Sequence, residues 1–276
     1  MQTSNAIFLG IKDYFRKNNF KKAVIGLSGG IDSTVSAYLV ARAIGGKNLT
    51  GILMPDNKIT SKENIKDALT ISKILRIRHE IVPINKTIKL FDEIAGSATA
   101  KRRVYALANT KARIRMVILY HIANLSGSLV IGTSDKSEIA LGYTTKYGDN
   151  ASDILVIGDL WKTEVIEIGK YLGVPENILK KKPCPELIPH LDAETELGAT
   201  YDKIDKILKG YIENDLSMKE LLMLGYDKKT VTSVIKRIIL NEHKRRSPMI
   251  IRLSDRSFHG MEWRMPITNG YKEDTY

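Results

Sequence analysis

The stretch AVIGLSGGIDSTVSAYLV, Ala23–Val40, decides the reading of this chain. Ala23–Leu27 is a short apolar run of the kind that forms a buried strand. Ser28-Gly29-Gly30 breaks it, and Val35, Leu39 and Val40 then recur at helical spacing. A strand, a glycine turn and a helix N-terminus in that order form an anion site: glycines let the backbone approach, and the first helical N–H groups point at the ligand. The hydroxyls of Ser28, Ser33 and Thr34 add donors. A lysine-bearing phosphate loop of the GxxxxGK[ST] type is excluded, because Asp32 stands where that loop carries its lysine. A carboxylate beside phosphates needs a cation between them, which makes Asp32 a candidate magnesium ligand. On its own, a single SGG also fits a tight turn with Asp32 and Ser33 as helix caps.

Working outward, further apolar runs at Thr50–Met54, His79–Val82, Leu129–Ile131 and Ile154–Ile157 alternate with helical patterns. That alternation predicts a doubly wound α/β fold, a parallel sheet flanked by helices, with ligands beyond the carboxyl ends of the strands. Ser97–Ser126 reads as one long helix and Gly142–Asp153 as a polar loop. Lys181–Gly198, KKPCPELIPHLDAETELG, is proline-rich without apolar periodicity and is expected to be a lid that lacks a regular element of its own. Helices return over Tyr201–Arg246, so residues 1–246 are expected to form one domain with C-terminal helices. Residues 247–276 form a weakly patterned tail.

The composition narrows the setting. The sequence of 276 residues has 43 Lys and Arg against 31 Asp and Glu, a formal charge of +12 that favours phosphorylated ligands or RNA. No run approaches the roughly 18 apolar residues that a membrane helix needs, and the N-terminus reads as an amphipathic helix rather than a signal peptide. A single cysteine, Cys184, excludes an internal disulfide framework and suits the cytoplasm.

With these strings in view, the chain resembles the ATP pyrophosphatase family, whose SGGxDS loop grips the pyrophosphate leaving ATP. Within it, the chain is most similar to the ammonia-dependent NAD synthetases. The resemblance covers about Ile7 to Arg246. It rests also on NTKARIRM (Asn109–Met116), LVIGTSDKSE (Leu129–Glu138), GYTTKYGD (Gly142–Asp149), the lysine of LWKTEV (Lys162) and EHKRR (Glu242–Arg246).

What the resemblance implies is specific. The fold would be of the adenine nucleotide alpha hydrolase-like kind. Gly26, Leu27, Ser28, Gly29, Gly30, Ile31, Asp32, Ser33 and Thr133 would hold ATP. Asp32 and Glu138 would hold Mg2+, and Lys162 would steady the phosphates, with Asp32 and Lys162 central to catalysis. Arg113, Lys146, Asp153, His243 and Lys244 would bind deamido-NAD. Cys184 stands where relatives carry a Ser or Thr that touches ATP, and a thiol is a weaker donor. The reaction would be amidation of the nicotinate carboxylate by free ammonia through an acyl-adenylate, in a homodimer that uses the apolar face of the long helix. On this reading the chain has no room for the amidase domain of glutamine-using relatives, and it takes neither nucleic acid nor membrane as partner. A tRNA-modifying member of the superfamily would suit the charge but leaves KARIRM, GYTTKYGD and EHKRR without a role. A non-catalytic nucleotide sensor would need neither Glu138 nor Lys162.

Overall fold

A computed structural model describes residues 2–94, 98–188 and 191–258. Five parallel strands run in the order β3-β2-β1-β4-β5: β1 Lys22–Gly26, β2 Leu49–Leu53, β3 Arg78–Ile81, β4 Ser128–Gly132 and β5 Ile154–Leu155. All five lie where the apolar runs place them, with β5 shorter than its run. Successive side chains of a strand face opposite ways, and here that period of two divides the interior. Ala23, Ile25, Leu49, Leu53, Leu129 and Ile131 join one core, while Val24, Ile52 and Val130 join another on the opposite face. Each fully buried Leu, Ile or Val contributes roughly 1.5–3 kcal/mol, so the central strands are fixed from both sides.

The first core is covered by α1 (Gln2–Lys17), α2 (Ile31–Ile44), α3 (Lys62–Ile74) and α7 (Lys162–Leu172). The second lies under α4 (Asn85–Glu93) and α5 (Ala100–Ser126). Helix α5 starts three residues later than expected because the Thr99 hydroxyl caps it by accepting from the Arg102 N–H at 3.4 Å; Ser97 lies outside the described residues.

A third core joins α6 (Lys136–Leu141), the short α9 (Ala193–Leu197) and the C-terminal helices α10 (Tyr201–Leu208), α11 (Met218–Met223) and α12 (Lys228–Leu240), while the short α8 (Glu176–Leu179) packs on the first core through Ile178 and α13 (Glu242–Arg245) follows α12. Its centre is Leu141, Trp161, Leu197, Tyr201, Ile204, Leu208, Leu221 and Val231. The expectation of no regular element in Lys181–Gly198 is corrected here. Asp192 caps α9 by accepting from the Thr195 N–H at 2.9 Å, Gly198 ends it at φ +80°, and Ala193 and Leu197 are buried. Pro189 and His190 of that segment lie outside the described residues. So does the tail beyond residue 258; residues 247–258 carry no helix or strand and are mostly exposed.

The chain leaves β1 toward β2 and β3 on one side and returns through β4 and β5 on the other. Adjacent strands whose connections diverge open a crevice at their carboxyl ends, where α/β sheets bind ligands. In this fold the crevice lies between the loop after β1 and the loop after β4.

Candidate active site

The loop after β1 is built by its own hydroxyls. The Leu27 N–H still pairs with the Ile52 carbonyl at 2.9 Å, and the chain then turns away. Ser28 Oγ accepts from the Gly30 N–H at 3.2 Å and lies 3.0 Å from Ser33 Oγ, which donates to the Gly30 carbonyl at 3.2 Å. Gly29 sits at φ +79°, and a Cβ there would stand 2.2 Å from the Asn64 carbonyl oxygen, so only glycine fits. Helix α2 begins at Ile31 and presents first-turn N–H groups without intrahelical partners. Asp32 does not cap this helix; no side chain closes its N-terminus, and Asp32 turns to a cluster of charges instead.

That cluster joins three helix starts. Asp32 comes from the first turn of α2; Asp135 is the N-cap of α6, its Oδ1 accepting from the Glu138 N–H at 2.8 Å; Glu138 lies one turn on. Lys162, the first residue of α7, is 0% exposed and places Nζ 2.8 Å from Asp32, 2.8 Å from Asp135 and 3.0 Å from Glu138. Carboxylate oxygens of Asp32, Asp135 and Glu138 all lie within 4.8 Å of one another. Burial pushes the Asp135 carboxyl up to about 6, against the pull of Lys162. Burial also holds Glu138 well above its ordinary value. For Lys162, burial opposes the charge, but Asp135, Asp32 and Glu138 outweigh it and keep the ammonium firmly protonated.

These residues fit a divalent cation. When ionised, three carboxylates exceed one ammonium by two negative charges, the donors are hard oxygens suited to magnesium, and Asp32 Oδ1 is buried without a hydrogen-bond partner. Sequence reasoning missed Asp135. Its signal was the Asp-x-x-Glu spacing of Asp135 and Glu138, which reads as a capping box and conceals a pair of clustered carboxylates.

Between the two loops opens a cleft of about 520 Å³. Its walls include the glycine loop, Thr133 just past β4, Met54, Arg115, Glu138, Lys181, Cys184 and Lys244. Lys181 closes it against the loop, its Nζ lying 2.5 Å from Asp67 Oδ2, 2.5 Å from Asn64 Oδ1 and 3.2 Å from the Gly29 carbonyl.

The NAD synthase family model matches residues 3–248. This chain belongs to the NAD synthase family. It is 41% identical over 252 residues to an NH(3)-dependent NAD(+) synthetase of Methanococcoides burtonii, covering 90% of this chain and 93% of that protein. It is 42% identical over 277 residues to a glutamine-dependent NAD(+) synthetase of Thermotoga maritima, where 97% of this chain spans only 48% of the relative. The NMN synthetase structure from Francisella tularensis superposes with a TM-score of 0.80 at 32% identity, covering 91% of this chain and 98% of that one. The fold is thus the adenine nucleotide alpha hydrolase-like fold expected of an NAD synthase family enzyme.

Within this family member, the site residues read from sequence divide into three groups. Gly26, Leu27, Ser28, Gly30, Ile31, Asp32, Ser33, Thr133, Glu138, Cys184 and Lys244 line the cleft. Gly29 and Lys162 lie behind its wall, Gly29 at the turn and Lys162 beneath the carboxylates. The Cys184 thiol donates to the Leu191 carbonyl at 3.4 Å, and burial raises its pKa.

Arg113, Lys146, Asp153 and His243 lie off the cleft wall. Arg113 is exposed on α5 and donates from Nε to the Lys146 carbonyl at 3.3 Å. Lys146 Nζ stands 5.3 Å from the Tyr147 ring centre. Asp153 ties the polar loop to β4, its Oδ2 accepting from the Val130 N–H at 2.7 Å. His243 is exposed on α13, whereas its neighbour Lys244 donates to the Gly142 and Thr144 carbonyls at 2.6 and 2.8 Å. The arginines that do line the cleft are Arg115 and Arg237, both of which the sequence reading passed over.

Proposed function

We propose that this chain amidates the nicotinate carboxylate of deamido-NAD with ammonia, cleaving ATP to AMP and pyrophosphate through an acyl-adenylate. The observation that carries the reading is the carboxylate–lysine centre of Asp32, Asp135, Glu138 and Lys162 set beside a glycine loop whose helix N-terminus faces the cleft.

The N–H groups of the glycine loop and the first turn of α2 would receive the pyrophosphate of ATP, with Ser28 and Ser33 able to redirect their hydroxyls from each other to phosphate oxygens. Asp32, Asp135 and Glu138 would hold magnesium, which when bound neutralises charge on the phosphates. The substrate carboxylate attacks the α-phosphorus, pyrophosphate leaves toward the α2 N-terminus, and ammonia then attacks the acyl carbon and displaces AMP. Lys162 holds its proton throughout; it balances the carboxylates and steadies the phosphate end of the site. Thr133 and Cys184 face the nucleotide. Arg115 and Lys244 offer cations on the wall of the cleft, and Arg113, Lys146, Asp153 and His243, off that wall, are proposed to meet the dinucleotide as it extends outward.

That placement favours a site completed by a second copy of the chain. Exposed apolar residues of α5, Val104, Tyr105, Val117 and Leu125, are the proposed homodimer contact. Among the described residues no helix is long and apolar enough to cross a membrane.

The test is pyrophosphate release from ATP with magnesium and ammonia, alongside formation of the amide. Parallel arms contain deamido-NAD, nicotinate mononucleotide, bulk tRNA or no acceptor, and glutamine replaces ammonia in one further arm. Release with deamido-NAD and ammonia alone is expected. Preference for the mononucleotide would reassign the substrate, and release with tRNA alone would refute the reading.

A further inference from the structure

Helix α7 begins with Lys162 at a point that water does not reach, so its first N–H groups need protein partners. The preceding residue, Trp161, offers no side-chain acceptor. Two neighbouring helices supply acceptors instead. Ser137 Oγ on α6 accepts from the Lys162 N–H at 2.9 Å, and Asp205 Oδ2 on α10 accepts from the Thr163 N–H at 2.9 Å. Asp205 Oδ1 accepts the Ser137 hydroxyl at 2.6 Å, which closes the bridge. Ser137, Lys162 and Asp205 are all buried, at 0%, 0% and 2% exposure.

The bridge joins the two elements whose spacing defines the charged centre. Helix α6 carries Glu138 and is capped by Asp135, while α7 opens with Lys162. One turn before Asp205, on the same face of α10, Tyr201 sets its ring centre 5.2 Å from Lys162 Nζ. A single face of α10 therefore meets both the Lys162 ammonium, through Tyr201, and the Thr163 N–H, through Asp205, although α10 lines no part of the cleft.

We infer that Asp205 is a positioning residue of this centre: by bridging Ser137 and Thr163 it fixes Lys162 relative to Asp135 and Glu138, and so sets the affinity for a divalent cation. The inference rests on the divalent-cation reading given above. Its physical basis is that a site for a hard cation works only when its oxygens are held within a fraction of an ångström, by partners that are themselves locked. An amide at position 205 cannot do the same work. It has one acceptor oxygen for two donors, so its NH2 group must donate to Ser137 Oγ, which turns the Ser137 hydroxyl away and removes the charge-assisted bond that closes the bridge.

The experiment is a Mn2+ titration followed by electron paramagnetic resonance with ATP present, on the full chain, for the unaltered protein, Asp205→Asn and Ser137→Ala. Far-UV circular dichroism and melting temperature are recorded alongside. We expect Asp205→Asn to keep its helical signal and to bind Mn2+ at least tenfold more weakly, and Ser137→Ala to weaken binding several-fold. A folded Asp205→Asn that only melts earlier, with unchanged Mn2+ affinity, would mean a merely structural bridge and overturn the inference. Should Asp205→Asn fail to fold, Ser137→Ala decides: unchanged affinity overturns, weakened affinity supports. Failure of the unaltered protein to bind Mn2+ would instead refute the divalent-cation reading itself.

Discussion

Replacing Lys162 by Met removes the one cation that three carboxylates share, and the consequences can be worked from the geometry. Nζ lies 2.8, 2.8 and 3.0 Å from Asp32, Asp135 and Glu138 and is fully buried. At an effective dielectric constant near 20, one such contact is worth about 6 kcal/mol before the cost of desolvation. Desolvation cancels much of that, and experience with buried pairs puts the loss of one partner at about 3–5 kcal/mol. Protonation of Asp135 and Glu138, which burial already favours, offsets part of it. In a chain of this size each kcal/mol corresponds to roughly 2–4 °C, so the metal-free variant should melt about 10 °C lower. Magnesium should return much of this, since a cation at a hundred times its dissociation constant stabilises by about 2.7 kcal/mol and three unopposed carboxylates bind it more tightly. Differential scanning fluorimetry of both proteins in chelator and in a magnesium series measures this directly. Equal melting temperatures in chelator, or a magnesium increment no larger than that of the unaltered protein, would refute the reasoning. Turnover at saturating magnesium then separates two roles: a counter-ion alone is replaced by metal, whereas a phosphate contact is not.

Asp32→Asn should leave the fold intact and lower adenylation on the order of a thousandfold, because one charge leaves the proposed metal site; near-normal pyrophosphate release at low magnesium would refute it. The Asp135 carboxyl is raised from 3.8 to about 6 in the folded protein, so its contribution to metal-free stability is present at low pH and lost as pH rises through about 6. Magnesium competes with that proton, and the magnesium-induced rise in melting temperature should be larger at pH 7.5 than at pH 5. Lys146→Ala should raise KM for deamido-NAD more than KM for ATP; equal changes would mark its loop as a general cover. Limited proteolysis within Lys181–Gly198 should slow when ATP, magnesium and deamido-NAD are added together, and equal rates with and without them would end the idea of an opening lid.

The strands and the glycine loop were legible because their signals are local. A five-residue apolar run buried on both faces has few alternative readings, and Ser28-Gly29-Gly30 must turn. The site was less legible where its geometry is tertiary. Arg113 and Arg115 stand two positions apart on α5 and so point to different sides of the helix; the string alone does not say which meets the cleft, and it is Arg115. Asp135 reads from sequence as a helix cap, which it is, and only the approach of α2 and α7 reveals its second oxygen as a partner of Lys162. Helix α9 did have local signals, Asp192 before it and Gly198 after it, but the prolines upstream masked them. The bridge through Asp205 had none, since it joins residues 68 positions apart.

The placement of Lys162 explains why so many elements converge on it. A helix N-terminus carries about half a positive charge, so acidic residues there are favoured and a lysine is not. Asp32, Asp135 and Glu138 each sit at such an end, on the favourable side of the dipole. Lys162 sits at the start of α7, on the unfavourable side, and without exposure to water. Such a lysine persists only where surrounding anions outweigh both the dipole and desolvation, and three carboxylates at 2.8–3.0 Å do so. The centre is therefore self-consistent only as a set: the lysine, with the protonation that burial favours at Asp135 and Glu138, makes three clustered carboxyl groups tolerable in the absence of metal, the carboxylates make a buried lysine tolerable at a helix N-terminus, and the two negative charges in excess once all three are ionised define what a ligand must bring. A neutral or anionic ligand alone leaves that excess unbalanced, whereas a divalent cation accompanying a phosphate chain satisfies it.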